Sequence, residues 1–163
     1  MYKYETHLHT KEGSACSSAP AADMARAHKA AGYDGIFVTD HFFNANTAVP
    51  RDLPWEDRVD RYFLGYEHAK EVGDEIGLKV WFGCEFTVYN ADFLIYSMEK
   101  DWMKANEELL MHTDERVLFS KLRNELDCFI VHAHPFRHAS YIHHISLYPY
   151  DVDAVETINA SHD

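Results

Sequence analysis

Four apolar, strand-like runs in this sequence each end in a histidine or a carboxylate. The four ends are the motifs His7-Leu8-His9, Thr39-Asp40-His41, Gly83-Cys84-Glu85 and His132-Ala133-His134. Because side chains alternate along a strand, the two histidines of the first motif point to one face, about 7 Å apart. A single histidine pair suits a hydrogen-bonded core equally well. The carboxyl ends of parallel barrel strands, however, meet at one mouth, so four such ends predict an α/β fold that gathers metal ligands there.

The order and spacing of these motifs, written HLH, TDH, GCE and HAHPFR, resemble the PHP family, named for polymerase and histidinol phosphatase. The resemblance runs from Tyr2 to the last residue. It implies a distorted seven-stranded (β/α) barrel and one domain over residues 1–163. It also implies two or three divalent metal ions (Zn, Mn or Fe) and hydrolysis of a phosphate ester by a metal-bound hydroxide.

The resemblance carries a set of metal ligands onto this chain. The residues that match the family motifs are His7, His9, His41, Glu85 (as a bridging carboxylate) and His134. Asp92 stands where relatives often carry a ligand histidine, so it is either a ligand or a strand-end cap. Relatives often place an Asp or His where this chain has Ser14 and Ala15. Glu12 is therefore either a substitute ligand or a solvated loop acid.

Three further residues near the motifs have open roles. His132 lies two residues before His134 and is a second-choice ligand or a base beside the ligands. Asp40 points away from His41 by strand parity and is interpreted as a structural acid. Arg137 either grips a phosphate through its forked donors or forms a salt bridge with an acidic side chain. His138, His143 and His144 follow in a loop that lies near the mouth, and nothing ranks them.

Charge and composition limit the classes of partner. The formal net charge of −12 repels nucleic-acid backbones and anionic membranes, and it repels a phosphorylated small-molecule substrate unless bound cations reverse the sign locally. No stretch approaches the ~20 apolar residues of a membrane span. Three widely spaced cysteines, Cys16, Cys84 and Cys128, favour reduced thiols and a cytoplasmic location.

The periodicity predicts alternating helices and strands. Helices are expected over residues 20–31, 55–76, 99–110 and from Thr113 as cap to residue 126. Strands are expected at the first motif and over residues 35–39, 79–83, 93–96, 128–131 and 153–158. Two long loops, residues 42–54 and 136–151, are expected near the barrel mouth.

The family continues beyond the last strand with a helix and a seventh strand that ends in an Asp-x-His ligand motif. This sequence ends before either, and His162-Asp163 lacks the right spacing to replace it. The expectation is a barrel without its last strand-helix portion, short of some metal ligands, with possible association through its open edge. The alternative function is a metal-binding accessory or inactive PHP module without turnover.

Overall fold

A curled sheet of six strands forms the frame of the protein. The computed structural model describes residues 1–89, 91–138, 142 and 144–159. The strands follow one another across the sheet in chain order. They are β1 (Tyr4–Leu8), β2 (Gly35–Val38), β3 (Lys79–Val88), β4 (Ala91–Tyr96), β5 (Phe129–Ala133) and β6 (Ala154–Val155). The seven strands that the resemblance implies are not seen within the described residues, where the sheet is a six-stranded half-barrel.

Within the described residues, five helices lie between the strands. They are α1 (Ala21–Ala30), α2 (Trp55–Ile76), α3 (Lys100–Ala105), α4 (Glu107–His112) and α5 (Glu115–Leu126). α2 has the predicted bounds and ends at Gly77, whose φ of 70° is the left-handed conformation that glycine adopts without strain. None of the described helices combines the length and apolar character that crossing a membrane requires.

Strand β4 runs against its neighbours, which corrects the expectation of a parallel barrel. It pairs antiparallel with both β3 and β5, whereas β1–β2, β2–β3 and β5–β6 are parallel pairs. The reversal brings the start of β4, and with it Asp92, to the same mouth as the ends of the other strands. The sequence of a strand does not indicate whether it runs parallel or antiparallel to its neighbours. The short connection between β3 and β4 is the feature that indicates an antiparallel pair.

The helices pack on one face of the sheet. β2 and β3 contribute Ile36, Val38 and Val80 to a core with α1 and α2. β4 and β5 contribute Phe93, Ile95 and Ile130 to a second, larger core that includes α5. The opposite, inner face carries a smaller apolar group around Leu94, Tyr96 and Val131, and Glu85, which pairs with Leu94, points to the same face.

Three other element predictions need correction. The helix expected over residues 99–110 is interrupted at Asn106 (φ −126°, ψ 38°), where the Trp55 indole N–H donates to the Met103 and Lys104 carbonyl oxygens. Asp114, and not Thr113, caps α5 by accepting from the Arg116 N–H. The last strand is only two residues long. His143, His162 and Asp163 lie outside the described residues.

Candidate metal centre

One buried carboxylate, that of Glu85 in β3, lies at the centre of a group of histidines. Its Oε1 is 3.0 Å from Nε2 of His134 and 3.4 Å from Nε2 of His7. Its Oε2 is 2.7 Å from Nδ1 of His41 and 3.3 Å from Nε2 of His9. The Glu85 side chain is 1% exposed, so its charge is shielded from water and must be balanced by these neighbours. We call these five residues the Glu85 cluster.

Backbone pairing places His41 and His134 in the cluster. The chain after β2 continues along β3, and His41 forms a parallel bridge with Glu85. His134 follows β5, and its backbone N–H donates to Glu156 Oε2 at 2.8 Å. The φ of His134 is 25°, a value that non-glycine residues rarely adopt and that occurs most often at functional sites.

A hydrogen-bonded loop orients His9. Ser14 Oγ lies 3.0 Å from His9 Nδ1, accepts from the His41 N–H and donates to Asp40 Oδ1. Asp40 also accepts from the Thr10 N–H and hydroxyl, which makes it the structural acid that the sequence predicts. Burial raises the pKa of Asp40 to about 6, although these donors oppose the rise. With Nδ1 held by Ser14, the Nε2 of His9 faces the cluster, as in many metal sites.

The histidines of the cluster have divergent proton affinities. Burial alone would lower the pKa of His7, but its hydrogen bonds with Glu156 and Glu85 outweigh burial and raise the value to about 9. Burial lowers the pKa of His9 to about 4, because the attraction of Glu85 is offset by the other histidines. Burial would raise the pKa of Glu85, but contacts with His134, His41 and His7 hold it far below its usual range. Glu85 is therefore an anion that attracts cations.

The donor set fits metal ions. His41 Nδ1 and Glu85 Oε2 are both buried and make no hydrogen bond to the described part of the chain, although they are only 2.7 Å apart. A cation that both atoms ligate would satisfy them. Imidazole and carboxylate ligands suit zinc, iron or manganese. Within 4.8 Å the structure groups His7 with His9 and Glu85, and Glu85 with Asp92 and His134. The five cluster residues line one cavity of about 400 Å³.

Asp92 and Arg137 form an ion pair at the edge of this cavity. Arg137 Nη2 is 3.0 Å from Asp92 Oδ2, and the Thr87 hydroxyl donates to Asp92 Oδ1 at 2.6 Å. Asp92 Oδ2 is also 3.9 Å from His134 Nε2. Arg137 lines the cavity beside the histidines. Both the metal-ligand role of Asp92 and the phosphate role of Arg137 therefore stay predictions, and the salt bridge that the sequence allowed for Arg137 is present.

Two predicted residues lie away from the cluster. The Glu12 carboxylate accepts from the Ala21 N–H at the start of α1 and lies 3.2 Å from His68 Nδ1. His132 faces the helices, where its ring stacks on Phe93 at 5.1 Å and contacts Tyr148. His132 and His134 have different orientations because the chain leaves the strand conformation at His134. The structure places neither Glu12 nor His132 in the Glu85 cluster.

Sequence reasoning missed three side chains at the mouth. Glu156 Oε1 lies 3.1 Å from His7 Nδ1, and the Asn159 amide donates to Glu156. Glu156 follows β6 directly. The pattern of a histidine or carboxylate at a strand end, which selected the other residues, would therefore have found Glu156 as well. Cys16 lines the same cavity from the loop after β1. Cys16 lies outside every predicted strand, so the strand pattern could not select it. Only the fold brings Cys16 close to His9 and His41.

Comparisons with known proteins point to one fold. No family model matches the sequence, and no curated protein matches it. A two-domain protein from Bacteroides vulgatus ATCC 8482, described as containing a predicted PHP-like metal-dependent phosphoesterase, superposes with a TM-score of 0.66 at 15% sequence identity. The match covers 91% of this chain and 39% of that one, so this chain spans less than half the length of that neighbour.

A second solved structure gives the same result. A protein from Bifidobacterium adolescentis ATCC 15703, described as a candidate metal-dependent phosphoesterase, superposes with a TM-score of 0.57 at 12% identity, over 95% of this chain and 77% of that one. At such identities the likeness establishes the fold alone. The chain therefore shares its fold with PHP-like metal-dependent phosphoesterases, as the order of its histidine and carboxylate motifs predicts.

Proposed function

We propose that this chain hydrolyses a phosphate ester with the help of divalent metal ions held by the Glu85 cluster. The ligands would be His7, His9, His41 and His134, with Glu85 as the carboxylate shared between ions and Asp92 at the edge. Metal ions bound there supply positive charge for the phosphate and lower the pKa of a bound water. Two or three ions of zinc, manganese or iron fit this number of donors.

The observation that carries the proposal is the arrangement around Glu85. Four imidazoles surround one carboxylate that is 1% exposed, and Glu85 Oε2 and His41 Nδ1 are buried without a hydrogen bond to the described residues. A buried acid in a purely structural role is normally fully hydrogen-bonded. One buried carboxylate oxygen and one buried imidazole nitrogen without a hydrogen bond, 2.7 Å apart, are what a pair of metal ligands would present to a cation.

Other residues of the chain would orient the histidine ligands and the phosphate of the substrate. Ser14 and Glu156 hold the distal nitrogens of His9 and His7, so that their other nitrogens face the cavity. Arg137 lies at the cavity edge, where its guanidinium would orient the phosphate of a small phosphorylated substrate. The net charge of −12 makes such local positive charge necessary for an anionic substrate to approach.

The test combines metal analysis with an activity assay. The purified chain is reconstituted with zinc, manganese or iron, its bound metal is measured by elemental analysis, and its hydrolysis of p-nitrophenyl phosphate is followed. Glu85→Gln should lose metal and lower the rate by more than the roughly 10–100-fold typical of residues that only support ligands. Glu71→Gln, which removes an exposed carboxylate of α2, is the matched control.

The outcomes separate three cases. Stoichiometric metal and hydrolysis that both depend on Glu85 support the proposal. Stoichiometric metal without hydrolysis of any phosphate ester tested would indicate the metal-binding accessory module instead. No metal after reconstitution with all three ions would overturn both functions.

A further inference from the structure

The thiol of Cys16 lies with two histidines of the Glu85 cluster. Cys16 Sγ and one ring nitrogen each of His9 and His41 lie within 4.8 Å of one another. The His9 and His41 rings are stacked, with their centroids 4.4 Å apart. All three side chains line the same cavity. The thiol therefore faces the mouth, and not the bulk solvent alone.

A second observation points to the same space. The Oε2 of Glu85 is buried and makes no hydrogen bond to the described residues. It lies 2.7 Å from His41 Nδ1 and 3.3 Å from His9 Nε2. The two imidazoles grouped with Cys16 are thus the same two that contact Glu85 Oε2, and all four residues line one cavity.

Hydrogen bonds fix the loop on both sides of Cys16. Before it, the Ala15 N–H donates to the Asn46 carbonyl at 2.9 Å. After it, the Ser17 N–H donates to the Ser14 carbonyl, and the Ser17 hydroxyl donates to the His9 carbonyl. These bonds tie the loop to β1 and to the segment after β2. The backbone that carries Cys16 is therefore held beside the histidines.

We propose that Cys16 is a metal ligand, which binds as a thiolate together with His9, His41 and Glu85. The inference rests on the proposed metal centre and adds a residue and a preference to it. On binding, the thiol proton is released to solvent and a metal–sulfur bond forms. A thiolate among imidazoles favours zinc or ferrous iron over manganese and magnesium, because sulfur is a softer donor than oxygen.

The other two thiols of the chain provide internal controls. Cys84 is fully buried and Cys128 is 4% exposed, and both belong to the large apolar core. Neither belongs to a candidate ligand group among the described residues. A sulfur signal from a metal bound at the mouth therefore reports on Cys16.

The first experiment loads the intact chain with Co²⁺ and records its absorption spectrum. A thiolate ligand produces a sulfur-to-cobalt charge-transfer band in the near ultraviolet, which imidazole and carboxylate ligands do not. The band should be present in the wild type and in Cys128→Ala, and absent in Cys16→Ser. Cys16→Ser should also lower the affinity for Zn²⁺ by about tenfold or more, on the scale of changes near a metal, with a smaller effect on Mn²⁺.

A second measurement does not require a variant to fold. Cys16 is exposed in the metal-free chain, so iodoacetamide should alkylate it, and stoichiometric Zn²⁺ should protect it. Mass spectrometry of the peptides identifies the modified residue. Protection of Cys16 together with the cobalt band supports the proposal.

The failure of this inference is distinguishable from the failure of the proposed function. Cobalt binding without a charge-transfer band, or equal alkylation with and without zinc, overturns the role of Cys16 but leaves a metal centre of histidines and carboxylates. A chain that binds neither cobalt nor zinc overturns both.

Discussion

Among the individual residues, Glu85 and Glu156 control how the metal-free protein responds to pH. His7 lies between them, with ring nitrogens 3.4 Å from Glu85 Oε1 and 3.1 Å from Glu156 Oε1. Although burial opposes protonation, the two carboxylates raise the pKa of His7 to about 9. His7 is therefore a cation at neutral pH, and a metal ion that binds it has to displace a proton.

This raised pKa predicts the direction of a stability change. The charged His7 pair stabilises the metal-free fold fully below about pH 6.5, the ordinary histidine value, and the contribution disappears as the pH rises through 9. Thermal or urea unfolding of the metal-free chain should thus show a loss of stability, of the order of a few kcal/mol, over this range. Glu156→Gln should flatten the dependence and Glu71→Gln should leave it intact. A wild-type stability that is constant over this range would contradict the pairing.

Arg137 and Asp92 call for a double-mutant test. The Asp92 side chain is 7% exposed, so removing its ion-pair partner leaves a buried carboxylate supported mainly by Thr87. Arg137→Ala should therefore lower stability, and Asp92→Asn should restore part of the loss. The phosphate role is tested by measuring how tightly inorganic phosphate binds to the zinc-loaded chain. The double variant Asp92→Asn/Arg137→Ala should bind phosphate more weakly than the single variant Asp92→Asn. Equal binding by these two variants would mean that Arg137 serves the ion pair alone.

At the level of elements, helix α2 supports the first loop of the mouth. Its buried Gly65 faces the end of β1, and a Cβ built there would lie 2.4 Å from Thr10 Oγ1 and 2.8 Å from Asp40 Oδ2. The Tyr62 hydroxyl, one turn earlier, donates to the Asp40 carbonyl. The glycine allows the helix to approach the hydrogen-bonded loop that orients His9.

Gly65→Ala separates helix propensity from packing. Propensity alone predicts a gain of about 1 kcal/mol from this change. The steric clash predicts the opposite, a loss of about 1–3 kcal/mol, together with weaker metal binding through the displaced Thr10 and Asp40. Glu71→Ala on the exposed side of α2 should stay within about 0.5 kcal/mol of the wild type. A Gly65→Ala variant that is more stable than the wild type would show that the loop can move without cost.

The elements also show what the sequence can and cannot reveal. The helical periodicity and Gly77 were enough to predict the bounds of α2, because both signals are local. The five residues of the Glu85 cluster were found because each lies in a motif at the end of an apolar, strand-like run. The interruption at Asn106 was not found, and the indole N–H of Trp55 that binds the carbonyl oxygen of Lys104 there comes from another helix. Cys16 and the helix-capping contact of Glu12 likewise depend on distant segments.

For the molecule as a whole, the two edges of the sheet are the surfaces that favour association. β1 and β6 lie at the two ends of the strand order, and each pairs with one neighbour. Tyr4 on β1 is 40% exposed and Val155 on β6 is 45% exposed. Apolar edge strands of this kind favour pairing with another chain.

We therefore expect association through an open edge. Light scattering after size exclusion should give a mass that increases with protein concentration. Tyr4→Lys, which places a charge on the β1 edge, should reduce the association, whereas Tyr150→Lys at a 96% exposed position outside the sheet should not. A constant monomer mass over the whole concentration range would rule out this expectation.

The reversed strand β4 also bears on the order in which the chain folds. Val88 pairs with Ala91, so β3 and β4 are close in sequence and their pairing costs little chain entropy. β1 and β2 can pair only after the first loop and α1 have been enclosed between them. Local pairings form faster than distant ones. Glu85 and Asp92 should thus come together early, and His7 and His9 should reach Glu85 only after β2 has paired with the distant β3.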